Sequence, residues 1–144
     1  TTKVIAYFDT SAIVPLIIEE ATSDSCRRLW NEATRVASVR LVYPETRAAL
    51  AHAERIGRLT AGQLTHAVDE LESLIEQLDI IEVSTDIARS AGELAQRFGL
   101  RGYDAVHLAA GLAMNDTDVV LVTGDHELAA AAQAAGMATS LTTH

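Results

Sequence analysis

Lysine is almost missing from this sequence: ten of its eleven basic residues are arginine, and Lys3 is the exception. Phosphoacceptor receiver chemistry, which needs a lysine on a late strand, therefore lacks its residue. Cys26 is the single cysteine, so no internal disulfide can form and the chain reads as a protein of a reducing compartment. No Cys/His cluster exists for a structural zinc site. Prolines occur only at Pro15 and Pro44, and with no charge block, low-complexity stretch or internal repeat nothing marks a linker. No apolar run approaches a bilayer span. No basic segment leads into a long apolar core as in a secretory signal, which points to the cytoplasm. A phosphate-cradling G-x-x-x-x-G-K-[ST] loop is absent too.

What is present is one domain's worth of globular chain, read as a single unit over 1–144: 144 residues, 49% hydrophobic and 22% charged, with a net charge of −9. Val4 to Phe8 and Val119 to Val122 are continuous apolar runs, as strands buried on both faces of a parallel sheet would be. Val36–Val39 and Ile80–Val83 read as further strands, and Met137–Leu141 as an edge strand. Helical patterns cover Ala12–Ile18, with Pro15 in the first turn or bending it, and Ala21–Arg35. They continue over Pro44–Ile56 and from Thr60 along the stripe Leu64, Val68, Leu71, Leu74, Ile75, Leu78. The remaining helices read as Thr85–Phe98 stopped by Gly99, the apolar Asp104–Met114, and Asp125–Ala135. Strands alternating with helices mean an α/β protein whose chemistry sits beyond the carboxyl ends of the strands.

Four carboxylates stand out. Asp9 follows the first apolar strand and Asp125 the second; Asp104 opens the apolar helix; Glu45 lies in a first helical turn and shares a face with Ala49 and Ile56. Singly, each aspartate is explained by helix capping and Glu45 by the helix dipole. Jointly, acids after the two most apolar strands and on two inward-facing helices predict a shared pocket. Like charges there raise one another's pKa unless a cation compensates. A hard divalent ion such as Mg²⁺ or Mn²⁺ prefers carboxylate and water oxygens, and such a site hydrolyses phosphodiesters.

The motifs Tyr7-Phe8-Asp9-Thr10-Ser11-Ala12, Tyr43-Pro44-Glu45-Thr46-Arg47, Tyr103-Asp104-Ala105-Val106-His107 and Val122-Thr123-Gly124-Asp125, in this order, resemble the PIN-domain ribonucleases, specifically VapC-type toxins. The resemblance implies a three-layer α/β/α fold with a short, mostly parallel sheet. It implies Mg²⁺- or Mn²⁺-dependent endonucleolytic cleavage of RNA that arrests translation, with Asp9, Glu45, Asp104 and Asp125 as the acids. Thr123 matches a family hydroxyl position and Ser11 assists Asp9. It also implies a VapB-type antitoxin partner and a homodimer.

A net charge of −9 opposes RNA at long range. Arg40, Arg47 and Arg101 are candidates to hold phosphates, and Arg27 and Arg28 lie adjacent, although each is equally a solvated surface residue. Six aromatics leave little for base stacking, so recognition is expected to use shape and backbone. His107, one turn after Asp104, reads as a helix-surface or interface residue more than a supporting one; His52, His66, His126 and His144 show no ligand spacing. A haloacid-dehalogenase-like phosphatase would need a second aspartate where Ser11 stands. The non-enzymatic alternative is an acidic cleft that docks a basic partner segment.

Overall fold

The computed structural model describes residues 3–143, so His144 lies outside the described residues. The chain runs β1 (Ile5–Phe8), α1 (Thr10–Ile17), α2 (Ser23–Glu32), β2 (Arg35–Val39), α3 (Val42–Arg55), α4 (Ala61–Gln77) and β3 (Asp79–Ile81). It continues with α5 (Thr85–Phe98), α6 (Gly102–Ala113), β4 (Val119–Thr123), α7 (His126–Ala134) and β5 (Ala138–Leu141). The strands form one sheet in the order β3-β2-β1-β4-β5. Every ladder is parallel, which sharpens the expectation of a mostly parallel sheet.

Strand alternation divides the core into two layers. Ile5 and Tyr7 of β1, with Ala37, Val39, Val119 and Leu121, pack against α5, α6 and α7. Ala6 and Phe8, with Val122, pack against Ala12, Ile13, Cys26, Val42 and Leu71 of α1 to α4. The result is the α/β/α sandwich, and β1 is apolar throughout because both of its faces are covered. Trp30 closes the second layer edge-on to Phe8, ring centroids 5.3 Å apart. A smaller cluster of Ile18, Leu50, Ala53 and Ala67 seals α3 and α4 over the end of α1.

Several boundaries differ from the sequence reading, each for a local reason. α1 starts at Thr10 because Asp9 accepts the Ala12 N–H, which puts Pro15 beyond the first turn. α3 starts at Val42, leaving Pro44 in the first turn, where a missing N–H costs no hydrogen bond. α2 spans only Ser23–Glu32, because the chain leaves helical geometry at Ala33 to enter β2. β3 is limited to Asp79–Ile81 by its pairing with β2. α5 matches its reading, closed by Gly99 at φ +66°, a left-handed cap that glycine adopts without strain. Within α4 Ala67 and Leu71 are buried, as is Leu78 just past its end; Leu64, Val68, Leu74 and Ile75 of the stripe lie half-buried along its margins.

Candidate active site

β1 pairs with β2 on one side and β4 on the other, so the sheet reverses its strand order beside β1. In a parallel sheet the crevice at that reversal, beyond the carboxyl ends, is where ligands bind. Phe8 sits opposite Val122 and the Asp9 N–H donates to the Val122 carbonyl, which sets Asp9 beside Thr123. The buried Asp9 carboxylate is fully engaged. Its Oδ1 accepts the Ser11 hydroxyl at 2.6 Å and the Ala12 N–H at 3.1 Å; its Oδ2 accepts the Thr123 hydroxyl at 2.5 Å. Burial pushes its pKa up from the usual aspartate range, and His107, the two hydroxyls and the Ala12 amide pull it back only in part.

Asp125 caps α7. Its Oδ1 accepts the Glu127 N–H at 2.9 Å and the Leu128 N–H at 3.2 Å, while its own N–H donates to the Thr123 hydroxyl at 3.0 Å. Ser11 ties the same corner together by accepting the Gly124 N–H at 2.8 Å. The second oxygen of Asp125 lies 3.7 Å from Nη2 of Arg101, whose Nε donates to Oδ2 of Asp104 at 3.1 Å. One guanidinium thus spans two acids from different helices. Asp104 is not a cap: Arg101 occupies that position and Asp104 is the third residue of α6.

Glu45 is placed differently from its expected face. The buried stripe of α3 is Val42, Thr46, Leu50 and Ala53, while Ile56 is 57% exposed at the helix end. Glu45 therefore lies at the margin of the inward face, where its Oε1 meets Nε2 of His107 at 2.9 Å. His107 corrects the surface reading: it is 2% exposed. Its Nδ1 stands 2.8 Å from the Tyr7 hydroxyl, and the Thr10 hydroxyl lies 3.4 Å from Nε2. Burial raises the Tyr7 pKa well above its ordinary value, so the hydroxyl keeps its proton. The tautomer that satisfies both main partners accepts from Tyr7 at Nδ1 and donates from Nε2 to Glu45. Tyr7, Thr10 and His107 were missed as site residues. The available signals were a lone ring nitrogen on an apolar helix and a phenol on a doubly buried strand, each requiring a partner.

The four acids are joined by contacts: Asp9 through Thr123 to Asp125, on through Arg101 to Asp104, and along α6 to His107 and Glu45. Among the described residues, no three carboxylate, imidazole or thiol groups stand close enough to grip one ion as they lie. Each acid is instead held by its own partner. The donor chemistry nonetheless fits a hard divalent cation: all four are carboxylates, and a positive group already rests between two of them. Arg40 pairs with Glu82 through two bonds, and Arg47 donates to the Tyr43 hydroxyl, so neither touches the four acids. Arg27 is held by Glu19 and Asp24. A hollow of about 630 Å³ between α1 and α4, lined by Ile17, Leu59 and Ala67 among others, contains none of the four acids.

Residues 6–134 match the PIN domain family. Two curated relatives, Ribonuclease VapC45 of Mycobacterium tuberculosis strain CDC 1551 / Oshkosh and Ribonuclease VapC49 of strain H37Rv, are each 40% identical over 132 residues, covering 92% of this chain and 92% of theirs. A toxin–antitoxin complex from Klebsiella pneumoniae contains a chain of the same fold, with a TM-score of 0.64 at 21% identity, covering 87% of this chain and 90% of that one.

Proposed function

Because the chain belongs to the PIN-domain family, we propose that it is a divalent-metal-dependent endoribonuclease and the toxin of a toxin–antitoxin pair. The observation that carries this reading is the near full-length likeness to two proteins named ribonucleases. Its partners on this reading are RNA, a VapB-type antitoxin and a second copy of the chain. The toxin–antitoxin complex of the same fold supports the antitoxin. Among the described residues no helix is long and apolar enough to cross a membrane.

In the proposed site, Asp9, Glu45, Asp104 and Asp125 would hold Mg²⁺ or Mn²⁺. Such an ion, when bound, lowers the pKa of a water and draws charge from the phosphate and the leaving oxygen. The protein's own work is positioning. Ser11, Thr123 and the Ala12 amide fix both oxygens of Asp9, so its orientation is set before any ligand arrives. His107, anchored by Tyr7, orients Glu45. Arg101, Arg47 and Arg40 are the proposed phosphate contacts; a few such contacts suffice for hydrolysis even where the whole chain carries −9.

The test is incubation of the purified chain with RNA and Mg²⁺ or Mn²⁺, followed by sequencing of the cleaved ends. The expected result is cleavage that stops with EDTA and with Asp9→Asn. Cleavage that survives both treatments overturns the assignment. If Asp9→Asn loses nothing but affinity for a basic partner segment, the acidic cleft is a docking site and the enzyme reading fails.

A further inference from the structure

We infer that Arg101 and the bound cation occupy the Asp104–Asp125 pair in exchange: the guanidinium holds it in the metal-free protein, and its release on metal binding makes Arg101 the phosphate contact nearest the ion. This rests on the proposed reading of the acids as ion ligands and adds a coupling between metal loading and RNA binding.

The argument starts from which oxygens are committed. Oδ1 of Asp125 accepts two amides at the start of α7, at 2.9 and 3.2 Å. Its Oδ2 is the oxygen left for a cation, and Arg101 faces that oxygen at 3.7 Å. The same guanidinium also holds Oδ2 of Asp104 at 3.1 Å, so it covers one oxygen of each acid. A dication there and a guanidinium within 4 Å repel each other, so the two cannot share the pair. Among the described residues, the remaining pull on Arg101 is the longer-range attraction of Glu127. The Arg101 side chain is 81% exposed and makes no capping bond to its helix, and exposed ion pairs of this kind are weak. Once displaced, the guanidinium remains tethered to the N-terminus of α6, one helical turn from Asp104. Its planar fork then matches two phosphate oxygens.

The experiment is calorimetric titration of Mn²⁺ into the purified chain without RNA, for the parent, Arg101→Gln and Arg101→Lys, together with KM for an RNA substrate. Melting without metal checks that each variant is folded. Removal of the competing charge is expected to tighten Mn²⁺ binding by about two- to thirty-fold in Arg101→Gln, the range two exposed pairs account for. The RNA KM is expected to rise in the same variant, with Arg101→Lys between Gln and the parent on both axes. Opposite signs for metal and RNA are the signature. Unchanged or weaker Mn²⁺ affinity in Arg101→Gln overturns the exchange while leaving the four-acid site standing. A parent that binds no Mn²⁺ overturns the site and the exchange together.

Discussion

Tyr7→Phe isolates the buried chain from β1 through α6 to α3, because it removes one oxygen and little volume. Tyr7 is fully buried, and its hydroxyl is 2.8 Å from a His107 nitrogen that is itself sealed from solvent. Without the hydroxyl, that nitrogen is a buried acceptor with no donor, a loss of about 1–3 kcal/mol. An unfolding entropy of about 2.1 cal/mol/K per residue gives this chain of 144 residues about 0.3 kcal/mol/K, so the melting temperature should fall by about 3–10 °C. The pH dependence supplies a second signature. Burial raises the Tyr7 pKa above its ordinary 10.0, so the unfolded chain loses this proton first. The resulting stability is complete below pH 10 and is lost as pH rises toward the folded value. The parent should therefore destabilise with alkali, and Tyr7→Phe should lack that component. Thermal melts of both proteins between pH 7 and 11 provide the assay. A shift under about 1 °C at neutral pH, with parallel alkaline limbs, refutes the buried hydrogen bond and the orientation of Glu45 built on it.

Asp9→Asn separates stability from activity: the folded pKa of Asp9 is raised by burial, so its favourable contribution exists below about pH 3.8 and is lost as pH rises through the folded value. The variant should gain melting temperature over the parent as pH goes from 4 to 7 while losing RNA cleavage; a gap that shrinks over that range contradicts the assignment. Asp125→Ser keeps an N-cap oxygen for α7 but no carboxylate, so melts should shift by no more than about 1 kcal/mol while Mn²⁺ binding by calorimetry weakens at least ten-fold. Thr46 is fully buried and its hydroxyl finds no partner among the described residues. Thr46→Val should therefore stabilise the fold by about 1 kcal/mol in urea unfolding, and a loss of similar size would reveal an unseen partner for that hydroxyl.

The sheet was legible because its two central strands are covered on both faces: β1 and β4 appear as unbroken apolar runs, and the acids that follow them mark the carboxyl edge. α5 was legible because its apolar stripe and its closing glycine agree. The helix starts were less so, since capping by Asp9 and the tolerance of a first turn for Pro44 are decided by backbone geometry over a few residues. Least legible was the support of Glu45. Its partner His107 lies 62 positions along the chain, and Tyr7 lies 100 positions from His107, so no local pattern joins them. One helical-spacing argument also misplaced a residue: Ala49 and Ile56 aligned Glu45 with a face that the packing of α3 turns partly outward. The start of α6 lies two residues before Asp104, at Gly102, so the capping alternative weighed for Asp104 does not hold.

Capping and ion binding are usually weighed as rival explanations of an aspartate ahead of a helix, but on the proposed reading of this sheet edge they reinforce each other. Parallel strands end where the following helices begin, so the first amides of α1 and α7 point into the same crevice. Each fixes Oδ1 of its aspartate: Ala12 for Asp9, and Glu127 with Leu128 for Asp125. A side chain held by its cap has already lost its rotamer freedom to folding, so binding a ligand costs it little further entropy. The two remaining acids have no cap to do this, and each recruits a cationic or hydrogen-bonding side chain instead, Arg101 for Asp104 and His107 for Glu45. The distinction separates permanent supports from exchangeable ones. Buried His107 is expected to keep Glu45 oriented, whereas exposed Arg101 is expected to leave. Metal loading at this site is therefore expected to disturb α6 at its N-terminus and to leave the contacts of His107 in place.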